Sequence, residues 1–248
     1  MSIEFKKKCD RCKKEFKYVL KSWNEKEPEF CDDTCEQLFY EELEEKRRTI
    51  SIKNNMLLIP KKYRNLKTDR TQLLDKCVNT NLYIHGKCGT GKSIFISNLA
   101  IKYILNGTSI AWIETLDFFQ KMRVAYSNNE SIEEEVQHYC YFDGVLFIND
   151  FGTSNKEFVK MQLLTLLDAR EKNELLTVIT SNLKVEEIQK QFGERILSRI
   201  IGMNIKIKIN DKGEKQKVNT IYLFKSEDRR YSPEKWSNNT LEMENIQL

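Results

Sequence analysis

The chain has 248 residues, 40% hydrophobic and 31% charged, which suits one α/β domain of ordinary size plus a small appendage. Lys and Arg number 41 against 37 Asp and Glu, a formal net charge of +4, so no polybasic field announces nucleic acid or an anionic membrane. No apolar run approaches the roughly 18 residues of a membrane span, and residues 1–8 lack the apolar core of a secretory signal. The seven cysteines therefore read as reduced thiols or metal ligands rather than a disulfide framework, and a cytoplasmic location is expected.

Four of those cysteines fall in the first 35 residues. Cys9-x2-Cys12 and Cys31-x3-Cys35 are separated by eighteen residues, a spacing suited to a structural Zn²⁺ held by four thiolates. A fragment this short cannot bury enough apolar surface to fold unaided, and bound metal would contribute the missing energy. The alternatives are four plain reduced cysteines or a redox C-x-x-C. A redox pair usually sits at a strand-to-helix turn, which this segment lacks. Residues 36–50 follow as a helix with Leu38, Phe39 and Leu43 on one side, and Ser51–Arg70 reads as a connector in which Ile59-Pro60 stops any helix.

From residue 81 to residue 224, strand-like and helical patterns alternate. Leu82-Tyr83-Ile84-His85 predicts a buried strand, and the helical pattern of 92–106 follows it. Between them stands Gly86-Lys87-Cys88-Gly89-Thr90-Gly91-Lys92-Ser93, a complete G-x-x-x-x-G-K-S loop in the strand–loop–helix context the motif requires. Its glycines let backbone N–H groups curl around a phosphate, and the helix N-terminus adds partial positive charge. Lys92 then reaches the β/γ-phosphates and the Ser93 hydroxyl is a Mg²⁺ ligand, so the chain is expected to bind a nucleoside triphosphate.

Further strands are predicted at Ser109–Ile113, Val145–Ile148, Thr177–Thr180 and Ile205–Ile209, with helices near 116–126, 156–172 and 185–201. Such alternation argues for a parallel sheet flanked by helices. Ile205–Ile209 and Val218–Phe224 also flank a polar turn and form a plausible β-hairpin. The strand at 145–148 runs into Asn149-Asp150, a place for Mg²⁺-shell and water-activating groups. The strand at 177–180 ends in Ser181-Asn182, within reach of an attacking water or a γ-phosphate. Arg195 and Arg199 lie four apart on one side of a helix, and a guanidinium suits phosphate oxygens across a subunit boundary.

These residues share an order with a known family. Ile59-Pro60-Lys61-Lys62-Tyr63-Arg64-Asn65, the phosphate loop, Asn149-Asp150-Phe151-Gly152, Leu166-Leu167-Asp168-Ala169-Arg170, Thr180-Ser181-Asn182 and Gly193 to Arg199 resemble the AAA+ replicative helicase loaders of the DnaC/DnaI type. The set is also similar to the IstB-type transposition ATPases, and the resemblance covers roughly residues 56–230. It implies an ATP- and Mg²⁺-dependent ATPase with residues 86–93 as Walker A and Asn149-Asp150 as the Walker B end. Asn182 becomes sensor 1, and Arg199 the arginine finger with Arg195 as fallback. Arg229 or Arg230 stands where the family often ends its core.

The family usually carries a carboxylate where Asn149 stands. Asn accepts a hydrogen bond from Mg²⁺-bound water but brings no negative charge, so a nucleotide switch with slow hydrolysis is expected, with Asp150 at the catalytic acidic position. The implied architecture is a zinc-binding module and helix at 1–50, a linker at 51–80, an AAA+ domain at 81–230 and a polar tail at 231–248. The implied partners are a hexameric replicative helicase, single-stranded DNA contacted through the basic patches at 61–64 and 206–217, and further copies of the chain. The alternatives are a transposition ATPase acting with a transposase on duplex DNA, and a zinc-ribbon interaction protein with a degenerate ATPase core.

Overall fold

The computed structural model describes residues 4–19, 26–127, 133–152, 157–209 and 215–224. The chain divides into two compact units, residues 1–54 and 55–248.

In the first unit, β1 (Glu4–Lys8) and β2 (Glu15–Val19) pair antiparallel, with Glu4 opposite Val19 and Lys8 opposite Glu15. Neither strand is signalled by the sequence, because a half-exposed Lys-rich ribbon lacks a clean apolar alternation. Helix α1 (Asp33–Leu58) places Asp33 and Glu36 in its first turn, which suits the positive end of its dipole. It begins three residues before the predicted 36–50 and runs on to Leu58, because Pro60 is the first residue that cannot continue it. α1 buries no residue.

After the last turn of α1, the second unit continues with α2 (Lys61–Arg64) and α3 (Thr71–Cys77), helices within the stretch expected to be a linker. Arg64 donates to the carbonyls of Ile59 and Leu57 at 2.7 and 2.8 Å. β3 (Leu82–His85), α4 (Lys92–Leu105), β4 (Ile110–Glu114) and α5 (Thr115–Ser127) follow. Next come α6 (Glu133–Tyr141), β5 (Val145–Phe151), α7 (Glu157–Lys172) and β6 (Thr177–Ser181). The chain then forms α8 (Val185–Phe192), α9 (Glu194–Asn204), β7 (Ile205–Ile209), β8 (Lys215–Asn219) and β9 (Ile221–Leu223).

Strands β4, β5, β6, β3 and β9 stand side by side in that order, every pair parallel. Both faces are apolar, as expected of strands covered on two sides. Leu146, Ile148, Tyr83, Ile179 and Ile221 share a cluster with Phe118, Met122, Leu163, Leu167, Ile188 and Ile200 of α5, α7, α8 and α9. Alternate residues point the other way. Phe147 stacks on Trp112 at 5.6 Å and meets Tyr103 of α4 edge-on at 6.3 Å. The result is a helix–sheet–helix sandwich whose strand C-termini lie along one edge.

The first four strands of this sheet start within a residue of the sequence expectation, and the expected hairpin at 205–224 forms with a different second strand. Ile205–Ile209 does not join the parallel sheet. It pairs antiparallel with β8 in a separate ribbon. The run 218–224 is split, since Thr220 turns its N–H and hydroxyl to Asn204 O and Ile221–Leu223 then adds to the edge of β3. The single helix expected at 185–201 is two, broken at Gly193, whose φ of +88° an L side chain would resist. Helix α6 was not foreseen. Its Val136 and Cys140 are buried, and Arg170 of α7 ties it to the sheet. Arg170 is fully buried and donates to Thr177 Oγ1 and the carbonyls of Tyr139, Phe142, Gly144 and Leu176. Among the described residues it pairs with no carboxylate and instead satisfies five acceptors at the end of α6 and the starts of β5 and β6, which makes it a structural brace.

Candidate nucleotide-binding site

The glycine loop leaves β3 at Gly86 and enters α4 at Lys92. Gly86 has φ +154°, and a Cβ there would lie 2.3 Å from the Phe224 carbonyl oxygen, so the close approach of the β9 end excludes any side chain. Gly91 is the N-cap of α4 in a left-handed conformation and offers no side-chain cap. The first-turn N–H groups therefore face outward, the arrangement that accepts an anion. Arg70, which the sequence did not single out, is buried beneath the loop. It donates to Thr90 O at 3.1 Å and covers the Phe224 ring at 4.2 Å.

Lys92 is almost wholly buried. Its ammonium donates to Gly86 O at 2.8 Å, Lys87 O at 2.9 Å and Asn182 Oδ1 at 2.9 Å, which uses all three of its protons. Desolvation pulls its pKa below the ordinary lysine value, and the nearby Asp150 charge opposes that shift. Because β6 lies between β3 and β5, the polar end of each strand meets here. Lys92, Ser93, Asp150 and Asn182 line one cavity of about 410 Å³ with Lys62, Tyr63 and Leu66 of the α2 region, a volume within the range of roughly 300–1,000 Å³ usual for small-molecule sites.

Asn149 is fully buried and its amide orientation follows from its neighbours. Glu114, its Cα partner on β4, can only accept, so Asn149 Nδ2 faces it, at 3.1 and 2.9 Å from the two carboxylate oxygens. Asn149 Oδ1 then accepts from Ser93 Oγ at 2.9 Å and Thr180 Oγ1 at 2.8 Å. Asp150 follows at φ +56°, within a register shift where Ile148 faces Ile179 but Phe151 faces Ser181. A bulge of this kind re-aims a side chain, and the left-handed backbone of a non-glycine residue is strain held by the surroundings. Here the Asp150 N–H donates to Thr180 Oγ1 at 3.1 Å.

The residues present fit a Mg²⁺-nucleotide. A cradle that a Cβ would fill, an uncapped helix start, a buried lysine and a serine hydroxyl beside an amide oxygen converge on one cavity. The phosphates would lie against residues 86–93 and the metal against Ser93 and the Asn149–Asp150 strand end. Bound Mg²⁺ would neutralise phosphate charge. Arg199 does not line this cavity. It lies in a groove between α7 and α9, paired with Asp168 Oδ1 at 2.8 Å and Glu171 Oε2 at 3.0 Å, and Arg195 lines the same groove. Arg229, Arg230 and the side chains of 206–217 lie outside the described residues.

In the first unit the sulfurs of Cys9, Cys12, Cys31 and Cys35 all lie within 4.8 Å of one another, and Cys12 and Cys31 are 3.8 Å apart. Four sulfurs about 2.3 Å from a tetrahedral Zn²⁺ would be separated by about 3.8 Å, so the cluster is compatible with zinc. Burial raises the Cys9 thiol, but hydrogen bonds from the backbone of Cys12, Cys31 and Arg11 outweigh it and bring its pKa down to about 6. Asp32 orients the second knuckle by accepting from Cys35 N at 2.7 Å. Cys77, Cys88 and Cys140 are free thiols elsewhere.

Residues 64–218 match the family described as IstB-like ATP binding protein. The replicative helicase loader DnaC of Escherichia coli K12 is 26% identical over 116 residues, 46% of this chain and 47% of DnaC, so the chain spans about half the length of the curated relatives it matches. A crystal structure of the DnaC helicase loader superposes with a TM-score of 0.52 at 17% identity, covering 67% of this chain and 100% of that one. DnaI superposes with a TM-score of 0.51 at 16% identity, covering 64% and 82%. At these identities the structures speak to the fold alone, an AAA+ core, while the family match takes in more than half the chain. The chain belongs to the family of IstB-like ATP binding proteins.

Proposed function

We propose that the chain is an ATP-controlled helicase loader of DNA replication, which binds a hexameric replicative helicase and single-stranded DNA and hydrolyses ATP slowly. The observation that carries this reading is the sequence similarity to DnaC over 116 residues, since DnaC is a replicative helicase loader. In this reading Lys92 and the loop hold the phosphates, Asp150 prepares the attacking water, and Asn182 reports the γ-phosphate to Lys92. Arg199 exchanges Asp168 and Glu171 for the phosphate of a neighbouring copy in a homo-oligomer. The four cysteines hold Zn²⁺ and make the first unit a docking module. Slow turnover follows from an amide at residue 149, which places no formal charge directly beside the metal.

A second reading, an ATPase acting with a transposase, is favoured by the family match itself. Affinity capture of the full chain from its native host separates the two, with Lys92→Ala and Asp150→Ala forms as probes of nucleotide control. A hexameric helicase retained by Asp150→Ala and lost from Lys92→Ala is the result expected. A transposase in its place overturns the loader reading, as does duplex preference over single-stranded DNA in salt-dependent binding.

A further inference from the structure

The amide at residue 149 is not isolated from negative charge. Glu114, at the end of β4, holds both oxygens on Asn149 Nδ2, and Trp112 Nε1 donates to its Oε1 at 3.1 Å, fixing the carboxylate. On the other side of the same amide, Oδ1 is 2.9 Å from the hydroxyl of Ser93, the residue that the loop presents for a metal. A carboxylate accepting from an amide N–H polarises that amide and makes its oxygen a stronger acceptor. At the cavity rim Tyr63 holds the Lys62 pKa up against the cost of its burial, and the charges of Glu114 and Asp150 add smaller effects in the same direction.

We propose that Glu114 supplies, beside the Mg²⁺ shell, the negative charge that residue 149 lacks, delivered from the neighbouring strand through the Asn149 amide. Glu114 is thus a positioning residue for the metal. The amide is the relay, with its oxygen turned toward Ser93 because its nitrogen is held by the carboxylate. Charge set one group farther away keeps metal and nucleotide bound while stabilising developing charge less well than a carboxylate in direct reach. The inference rests on the reading of this cavity as a Mg²⁺-nucleotide site.

The test is a Mg²⁺ titration of fluorescent ATP-analogue binding to the full chain, with circular dichroism reporting the fold. Glu114→Gln keeps the size of the side chain and one acceptor oxygen for Trp112 Nε1 and Asn149 Nδ2 while removing the charge, and a merely structural loss would lower the melting temperature without moving the Mg²⁺ dependence. The proposal expects the Mg²⁺ concentration for half-maximal binding to rise about 10- to 100-fold, the usual effect of losing an outer-shell metal partner, with metal-free nucleotide bound as before. Glu114→Gln combined with Asn149→Asp moves the charge into the usual place and is expected to restore the wild-type Mg²⁺ response. A folded Glu114→Gln protein with an unchanged Mg²⁺ response overturns the proposal. So does a folded double variant that responds no better than Glu114→Gln. If the wild type binds no nucleotide, or binds it regardless of Lys92, the reading of the cavity itself fails, which is a separate result.

Discussion

Restoring the family's usual carboxylate by Asn149→Asp alone is predicted to damage this protein. Asn149 is fully buried, and its Nδ2 lies 2.9 and 3.1 Å from the carboxylate oxygens of Glu114. The substitution exchanges that donor for an acceptor and sets two anions side by side. Two like charges about 4 Å apart repel by roughly 4 kcal/mol at an effective dielectric constant of about 20. Glu114 is only partly buried and the pair can share a proton, so a loss of about 2–3 kcal/mol remains near pH 8. For a unit of this size that is a fall of about 4–12 °C in melting temperature. The sign with pH is fixed. A shared proton in the folded state is bound more tightly than by isolated carboxylates in the unfolded chain, so the deficit is absent below about pH 4 and grows as pH rises. Thermal melts of wild type, Asn149→Asp and Asn149→Asp with Glu114→Gln at pH 5 and pH 8 measure it, the double variant recovering most of the loss at pH 8. An Asn149→Asp protein as stable as wild type at pH 8 refutes the reasoning.

Two further outcomes test other parts of the molecule. Removing metal from purified protein with a chelator, or replacing Cys31 by Ser, should unfold the first unit while nucleotide binding by the second persists, because a four-thiolate module draws its folding energy from the ion. Metal analysis should find one zinc per chain, and a first unit that keeps its circular dichroism without metal would exclude a structural zinc. Arg199→Ala should cost no more than about 1 kcal/mol of stability, since its ion pairs are partly exposed. It should leave ATP affinity intact and lower ATPase activity in assembled protein. Mixing it with Asp150→Asn should recover activity if Arg199 acts across a subunit boundary, and no recovery would place it outside the site.

The glycine loop, the strand ends at Asn149–Asp150 and Asn182, and the cysteine spacing were legible because each is a local pattern with its own chemistry. The relay through Glu114 was not, because it depends on the register between β4 and β5, which brings together residues 35 apart in the chain. Nor could the sequence reveal that Asp150 lies in a bulge with a left-handed backbone, since nothing in Asn-Asp-Phe-Gly announces the extra residue. The hairpin expected in the 205–224 region forms, but its second strand is 215–219 rather than 218–224 and Ile221–Leu223 joins the parallel sheet, because the alternation suits a hairpin and an added parallel strand equally well. Thr220, capping onto Asn204, decides the division. At Gly193 the break between α8 and α9 has its signal in the sequence, but the helical spacing continues across it and masks the stop.

If residues 86–93 and the strand ends beside them form a Mg²⁺-nucleotide site, the full chain should bind ATP together with the metal. Calorimetric titration of the full chain with ATP and Mg²⁺, beside Lys92→Ala, tests it most directly. One ATP bound per chain, with binding abolished by Lys92→Ala in a protein that melts like the wild type, is the result predicted. No binding by the wild type, or equal binding by the two proteins, would contradict it.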